Sequence, residues 1–317
     1  MNARTALLVA LSVAGCSAAR EIAGADRVPA RERLAVGVVT TLDEELFSRD
    51  RIHDGLVDPV DAPRPVGFGI FFLQPYDPRK IPVLFVHGIS ASPLDFRDAL
   101  PALDLERYQP WVMSYPSGMR LAVVAEVLSE QLVELHERLH SRPVVVVAHS
   151  MGGLVSRAAI LRLSREGRAD LVQKFISIST PYGGQPTAAL GVRHARQPVP
   201  AWTDLSPGSD FLRDLESPLP PTLPFYLIFS YGSHGYDEHG DNRHFWDLAR
   251  WFSVSLFAGS NDSSVTLSTQ LALYAQRGAT QTMGFDVDHV SILSLPDALE
   301  CVAGLLDRHA TQASALR

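Results

Sequence analysis

The sequence predicts an α/β fold in which a mostly parallel central sheet is flanked by helices. The first observation is that short apolar runs, rich in β-branched and aromatic residues, recur along most of the chain, as expected of strands buried on both faces. The second is that segments with a helical apolar stripe lie between several of these runs. Strands that alternate with helices pair in parallel through right-handed crossovers, so both observations favour one fold class.

The same patterns place the individual elements. Strand 68–73 is expected at an edge of the sheet, whereas strand 143–148, with four consecutive valines, is expected at its centre. Residues 121–140 form the first long amphipathic helix, and a helix over 296–309 closes the chain. The remaining strands are predicted at 81–86, 110–115, 172–179, 224–230 and 280–284, with a short helix at 92–103.

Residues 1–15 have the pattern of a signal peptide and are not expected to join the fold. Their apolar run is too short to span a bilayer. The sequence Val13-Ala-Gly-Cys16 resembles the bacterial lipobox, which predicts that Cys16 carries lipid, and Ser17 after it implies the outer membrane. The alternative is an ordinary signal peptide cleaved near Ala18 or Ala19. The lipobox predicts a protein of the bacterial cell envelope, attached to the membrane through Cys16.

The rest of the chain divides into an arm and one main domain. Residues 16–66 are predicted to be a tether and an N-terminal arm packed on the domain, with a helix expected in one part of it, at 31–47. Residues 67–317 form the domain. Two segments, 183–223 and 231–261, exceed simple strand–helix alternation and are expected to be lid or cap insertions, the alternative being ordinary loop-rich excursions.

Charge and cysteine content restrict the partners. The net charge is −7 and no long basic run is present, so the sequence excludes nucleic acid as the expected partner. Cys16 and Cys301 are the only cysteines, so no disulfide can form within the chain once Cys16 carries lipid. Cys301 lies in a helical apolar pattern and is expected to be a buried core thiol.

A strand, a sharp turn with a serine, and a helix follow one another at the centre of the sequence. The valine strand ends at Ala148, Ser150 stands at the turn, and small residues Gly152 and Gly153 open the helix. This is the nucleophile-elbow pattern G-x-S-x-G with alanine in place of the first glycine. Small residues are needed because the strained turn brings neighbouring backbone close to the serine. A plain turn with a capping serine is the alternative.

The sequence AHSMGGLV at this turn resembles the elbow of α/β-hydrolase lipases and esterases. The similarity extends over about residues 68–310 and is greatest to bacterial lipases and the GPI inositol-deacylase-like branch. It implies the α/β-hydrolase fold with lid or cap insertions. It also implies that Ser150 is the nucleophile of a serine hydrolase, which needs a histidine base and an orienting carboxylate.

The resemblance places the remaining triad members later in the chain, in the order acid and then base. Asp262, in a Gly-Ser-Asn-Asp turn followed by Val265, matches the lipase acid motif, with Asp241 and Asp247 as competitors. His289, between a predicted strand and the last helix, stands where the family has its base. An Asx turn and a surface histidine are the respective alternatives.

An oxyanion hole needs two backbone N–H groups aimed at one oxygen. The resemblance assigns them to Met151, directly after the nucleophile, and to Ile89 in the His-Gly turn after strand 81–86. His87 is expected to brace that turn, and His149 to point away from the nucleophile as a packing residue. The turn 179–184 resembles a pocket-lining S-T-P-x-x-G turn without chemistry of its own.

These residues predict a carboxylic ester hydrolase, with an ester or lipid substrate, that needs neither a metal nor an organic cofactor. An acyltransferase or thioesterase could use the same triad, and a non-catalytic envelope lipoprotein with a hydrolase fold is the alternative from another class. Several histidines and carboxylates crowd residues 234–244, but no spacing matches a metal site, and a solvated polar loop is expected there.

Overall fold

A computed structural model describes residues 34–59, 67–232 and 262–308 of the 317-residue chain. An eight-stranded sheet runs through it, in the order β1-β2-β4-β3-β5-β6-β7-β8. The apolar runs of the sequence form these strands, and β3 to β7 are almost entirely buried. The strands are β1 (Leu34–Val39), β2 (Phe68–Phe72), β3 (Ile81–Val86), β4 (Tyr108–Ser114), β5 (Val144–His149), β6 (Val172–Ile178), β7 (Phe225–Ser230) and β8 (Gln281–Phe285).

One antiparallel pair divides the sheet by direction. β2 and β4 are antiparallel and every other neighbouring pair is parallel, so β1 and β2 run against the other six strands. We call the side at which β3–β8 end the carboxyl edge of the sheet, and the opposite side the amino edge. β1 and β2 therefore begin at the carboxyl edge.

Two predictions about the N-terminal part were wrong. Residues 34–39 form strand β1 within the predicted helical stretch 31–47, where the only helix in the described part is a 3-10 turn at Glu45–Phe47. Strand 68–73 (β2) is not the outermost strand of the sheet, because β1 pairs with its outer side. The arm is thus an integral part of the sheet, and the sheet gains its outermost strand from residues that precede the predicted domain boundary.

Helices pack on both faces of the sheet over two apolar clusters. Helices α2 (Leu121–Leu139) and α3 (Met151–Arg165) cover one face, with Leu128 and Leu154 in its core. Helix α9 (Pro296–Asp307) covers the other face, with Val302 and Leu305 in its core. Cys301, expected to be a buried core thiol, packs against the second of these clusters beside Met283 but is only half-buried. The α-helices of the described residues are α1 (Arg49–Val57), α2 (Leu121–Leu139), α3 (Met151–Arg165), α4 (Pro186–His194), α5 (Pro200–Leu205), α6 (Asp210–Asp214), α7 (Leu267–Gln270), α8 (Leu273–Gly278) and α9 (Pro296–Asp307). Short 3-10 helices lie at Pro93–Phe96, Ala169–Leu171 and Ser291–Leu293.

The insertion 183–223 carries α4, α5 and α6 and is fixed to the domain by two buried charged side chains. Asp204 of α5 accepts a 2.6 Å hydrogen bond from the Leu121 amide at the start of α2 and pairs with Arg120 at 2.8 Å. Arg157 of α3 donates to the carbonyls of Leu215 and Ser217 at 2.8 and 3.0 Å. Both contacts satisfy groups that burial would otherwise leave unpaired, so this insertion is a packed part of the domain.

Several predictions fall outside the described residues: the signal peptide 1–15, Cys16, and nearly all of the insertion 231–261. Within the residues that the structure describes, none of the helices has the length and apolar character needed to cross a membrane.

Candidate active site

Ser150 lies at the turn between β5 and α3, in a backbone conformation that few residues adopt. Its φ is 53° and its ψ is −128°, which is costly for a residue with a side chain and is held only by its surroundings. The neighbouring glycines show why the turn needs small residues. A Cβ atom on Gly152 would lie 2.4 Å from the carbonyl oxygens of Val86 and His87, and one on Gly153 would lie 1.9 Å from Thr180 Oγ1.

The structure brings the three predicted triad residues into one line of hydrogen bonds. His289 Nε2 lies 2.8 Å from Ser150 Oγ, and His289 Nδ1 lies 2.6 Å from Asp262 Oδ2. All three side chains are buried, and Asp262 is wholly inaccessible. The residues are separated by 139 and 27 positions in sequence, so this contact is produced by the fold alone.

Four hydrogen-bond donors besides His289 hold the Asp262 carboxylate. The amides of Ser264 and Val265 donate to Oδ1 at 3.1 and 2.6 Å, and the side chains of Ser230 and Gln270 donate to Oδ2 at 2.6 and 3.1 Å. Burial raises the pKa of Asp262, but attraction to His289 and the hydrogen bonds from His289, Ser230 and Val265 outweigh it and lower that pKa. The carboxylate is therefore held in its charged form.

Ser230, Gln270 and Ser179 form a buried polar network behind Asp262. Gln270 accepts from the Ser230 amide at 3.1 Å and donates to the Ser230 carbonyl at 2.9 Å. Ser179 Oγ lies 2.6 Å from Ser230 Oγ, whose proton is directed at Asp262, so Ser179 is the donor of that pair. Sequence reasoning missed this network; it assigned the turn at Ser179 only to lining the pocket. The one signal available was that both serines close an apolar strand.

His149 contacts the predicted base directly. Its Nε2 donates to the carbonyl oxygen of His289 at 2.8 Å, and the two rings lie 4.8 Å apart. Burial, together with repulsion from His289, lowers the pKa of His149 to about 3, so the ring is neutral at neutral pH. His149 is predicted to be only a packing residue that points away from Ser150; the structure adds a hydrogen bond and a ring contact with His289, the predicted base.

The turn after β3 passes alongside Ser150. A Cβ on Gly88 would lie 3.0 Å from Ser150 Cβ, so only glycine fits here without displacing the serine. His87 braces the turn as predicted: its ring stacks on Tyr115 at 4.2 Å and accepts from the Tyr115 amide at 3.3 Å. The Tyr115 hydroxyl donates back to the His87 carbonyl at 2.5 Å. Ile89 follows in this braced turn, and Met151 follows Ser150 as the first residue of α3.

In the described ranges, which omit 233–261, no group of three or more histidine, cysteine or acidic side chains could hold a metal ion. The polar loop 234–244 and the competing acids Asp241 and Asp247 lie outside those ranges. Among described residues, Asp262 is the carboxylate at the histidine.

Comparison with solved structures gives the same fold. The mature form of a Bacillus licheniformis lipase superposes with a TM-score of 0.58 at 21% identity, covering 75% of this chain and 97% of the lipase. A metagenomic carboxyl esterase gives a TM-score of 0.52 at 16% identity, over 95% of this chain and 98% of the esterase. Aspergillus fumigatus lipase B gives 0.53 at 14% identity, over 84% of this chain and 66% of the lipase.

No curated protein matches the sequence. The family model described as "Alpha/beta hydrolase family" matches residues 83–300, which include Ser150, Asp262 and His289. The chain therefore belongs to the alpha/beta hydrolase family.

Proposed function

We propose that the protein is a serine hydrolase that cleaves carboxylic esters through an acyl-enzyme intermediate. The observation that carries this proposal is the continuous hydrogen-bonded line from Ser150 Oγ through His289 to the buried Asp262 carboxylate. Activating a serine hydroxyl requires this arrangement, whereas a binding scaffold has no need of it. The lipase and carboxyl esterase structures that share the fold favour esters as the substrate class.

In the proposed mechanism each group has one role. As Ser150 Oγ attacks the ester carbonyl carbon, its proton passes to His289 Nε2, and Asp262 stabilises the imidazolium that forms. The amides of Met151 and Ile89 are the proposed donors to the resulting oxyanion. His289 then gives its proton to the departing alcohol, which leaves the acyl group on Ser150. In the second half, His289 deprotonates a water molecule that attacks the acyl carbonyl, and the proton returns to Ser150.

An activity-based probe tests the proposal. A fluorophosphonate should label the folded protein at one residue, which peptide mapping should identify as Ser150. Ser150→Ala should lose both the labelling and the hydrolysis of a short p-nitrophenyl ester. The matched control is Ser129→Ala, which replaces a buried serine of α2 whose hydroxyl donates to the Glu126 carbonyl. A folded protein that stays unlabelled, or a Ser150→Ala variant with unchanged activity, contradicts the proposal.

We also propose that Cys16 carries lipid and holds the protein in the bacterial cell envelope, at the outer membrane. The support is the lipobox-like sequence Val13-Ala-Gly-Cys16 followed by Ser17. Two or more acyl chains are enough for stable membrane attachment. Metabolic labelling with an alkyne fatty acid should mark the wild-type chain and not Cys16→Ser, which should also leave the membrane fraction. Equal labelling of the two chains rules this out.

A further inference from the structure

The Ile89 amide belongs to a peptide group that His87 holds in place. The Tyr115 amide donates to Nε2 of His87 at 3.3 Å, and Nδ1 of the same ring lies 2.9 Å from the Gly88 carbonyl oxygen. An imidazole whose Nε2 accepts a hydrogen bond carries its proton on Nδ1, so Nδ1 donates to that carbonyl. The carbonyl and the N–H of one trans peptide group point in opposite directions. The Ile89 N–H therefore points away from the His87 ring.

Tyr115 fixes His87 through its side chain as well as its backbone. The two rings stack at 4.2 Å, and the Tyr115 hydroxyl donates to the His87 carbonyl at 2.5 Å. Both residues are buried, so a lost hydrogen bond would leave a polar group without a partner, at a cost in free energy. The conformation of the turn therefore depends on the Tyr115 side chain.

The peptide group that follows Ile89 is held by Ser117. The Ser90 amide donates to Ser117 Oγ at 3.0 Å, and the Ser117 side chain is buried. Ser90 has a φ of 51°, a conformation that a residue with a side chain keeps only where its surroundings hold it. Ile89 thus lies between two fixed peptide groups. Its own N–H has no hydrogen-bond partner in the part of the chain that the structure describes.

The two residues that hold the turn belong to one short segment after β4, residues 115–118, and two helices hold this segment in turn. The Gly118 amide donates to the Gly55 carbonyl of α1 at 2.9 Å, and the Ala201 amide of α5 donates to the Gly118 carbonyl at 2.9 Å. Both backbone groups of Gly118 are therefore paired with elements outside the segment. Residues 115–118 form a fixed support for the turn after β3.

We propose that Tyr115 and Ser117 are positioning residues that set the direction of the Ile89 amide as an oxyanion donor. This inference rests on the proposed ester hydrolase. Both residues act through the turn after β3, which lies against the proposed nucleophile: a Cβ atom on Gly88 would lie 3.4 Å from Ser150 Oγ. A donor that is fixed before the reaction needs no reorganisation when the negative charge develops, and this is the source of its effect on the rate.

Two single-hydroxyl variants with matched controls test the assignment. Tyr115→Phe removes the bond to the His87 carbonyl and keeps the ring; its control is Tyr108→Phe, at the other end of β4, where a buried tyrosine donates to Asp307 at 2.9 Å. Ser117→Ala removes the acceptor of the Ser90 amide, and Ser129→Ala is its control. On a p-nitrophenyl ester, both variants should lower kcat about tenfold, less than the loss of about 100-fold or more that follows when a donor is removed altogether. KM should change little, and the controls should keep the kcat of the wild type.

A second substrate separates positioning from a general loss of structure. In the corresponding thionoester, sulfur replaces the carbonyl oxygen and is a weaker hydrogen-bond acceptor. An aimed amide therefore favours the ester over the thionoester, and the ratio of their kcat/KM values should fall in both variants. A general loss of structure lowers both values alike and leaves the ratio at that of the wild type.

The outcomes distinguish the assignment from the proposed function. An unchanged ratio in Tyr115→Phe and Ser117→Ala overturns the positioning role, whether or not kcat falls. The two variants act on different peptide groups, so either one decides the question if urea unfolding shows that the other has not folded. A wild-type protein that cleaves neither ester refutes the proposed hydrolase, and the assignment falls with it. An active wild type with unaffected variants refutes the positioning role alone.

Discussion

Ser230→Ala tests whether the network behind Asp262 positions this residue as the proposed acid of the triad. The substitution removes a 2.6 Å donor to Asp262 Oδ2 and leaves the Ser179 hydroxyl without its acceptor. Ser230 is fully buried, and Asp262 and His289 lie between it and Ser150. Ser230 therefore cannot contact the substrate. Its loss should act only through the carboxylate.

The magnitude follows from the kind of hydrogen bond. A hydrogen bond to a charged group contributes about 1.5–3 kcal/mol. Because about 1.4 kcal/mol corresponds to a tenfold change in rate, kcat should fall about 10- to 100-fold if that contribution is needed in the transition state. KM should stay nearly constant. The Ser230 bond lowers the pKa of Asp262, so its removal raises that pKa and should shift the acid limb of the pH–rate profile to higher pH.

The assay is the pH dependence of kcat/KM on a soluble ester, together with urea unfolding. Ser129→Ala is again the control, since it also removes a buried hydroxyl with one short hydrogen bond, at 2.8 Å to the Glu126 carbonyl. Both variants should lose about 1 kcal/mol or more in the free energy of unfolding. Only Ser230→Ala should lose activity. Equal activity of the two variants, with an unchanged acid limb, would refute a positioning role for Ser230.

Three further predictions concern residues that surround the candidate site or support the domain around it. Gly88→Ala should lower kcat about tenfold, because the added methyl would lie 3.0 Å from the Ser150 Cβ. Gly304→Ala is the control: its methyl meets open space, so kcat should not change, and helix α9 should be stabilised by about 0.5–1 kcal/mol. Steady-state kinetics of the two variants gives the comparison. Arg157→Lys should lower the free energy of unfolding by about 2–3 kcal/mol in urea titrations, because an ammonium cannot reproduce the two carbonyl contacts and the aromatic stacking of the guanidinium. Burial lowers the pKa of His87 to about 4 and that of His149 to about 3. Both pKa values lie below the value of about 6.5 for an unfolded histidine. Between about pH 6.5 and pH 4 the unfolded state therefore binds more protons than the folded state, so the free energy of unfolding should fall as the pH drops through this range. His149→Gln should flatten that slope, and an unchanged slope would remove His149 as a cause.

The sequence was sufficient to select the three residues that the structure joins by hydrogen bonds, because each of them has a local signature. Ser150 follows a valine strand and precedes glycines, and Asp262 and His289 lie in recognisable turns in the expected order. The structure places these three within hydrogen-bonding distance. β1 could not be predicted in the same way, because LAVGVV has no alternation that separates a strand from a helix. Whether this segment forms a strand or a helix is decided by its pairing with β2, about thirty residues later in the chain.

The polar network behind Asp262 shows what such signatures leave out. Ser179 follows β6, Ser230 ends β7 and Gln270 ends α7, and none of them has a local sequence that predicts a network around the acid. They acquire a common function only because parallel strands end at one edge of the sheet, next to the loop that carries Asp262. A hydroxyl that closes an otherwise apolar strand is costly to bury without a partner. In an α/β sheet of this kind, serines that close the buried strands one and two positions away from the strand before Ser150 are therefore a reasonable place to look for residues that hold the proposed acid.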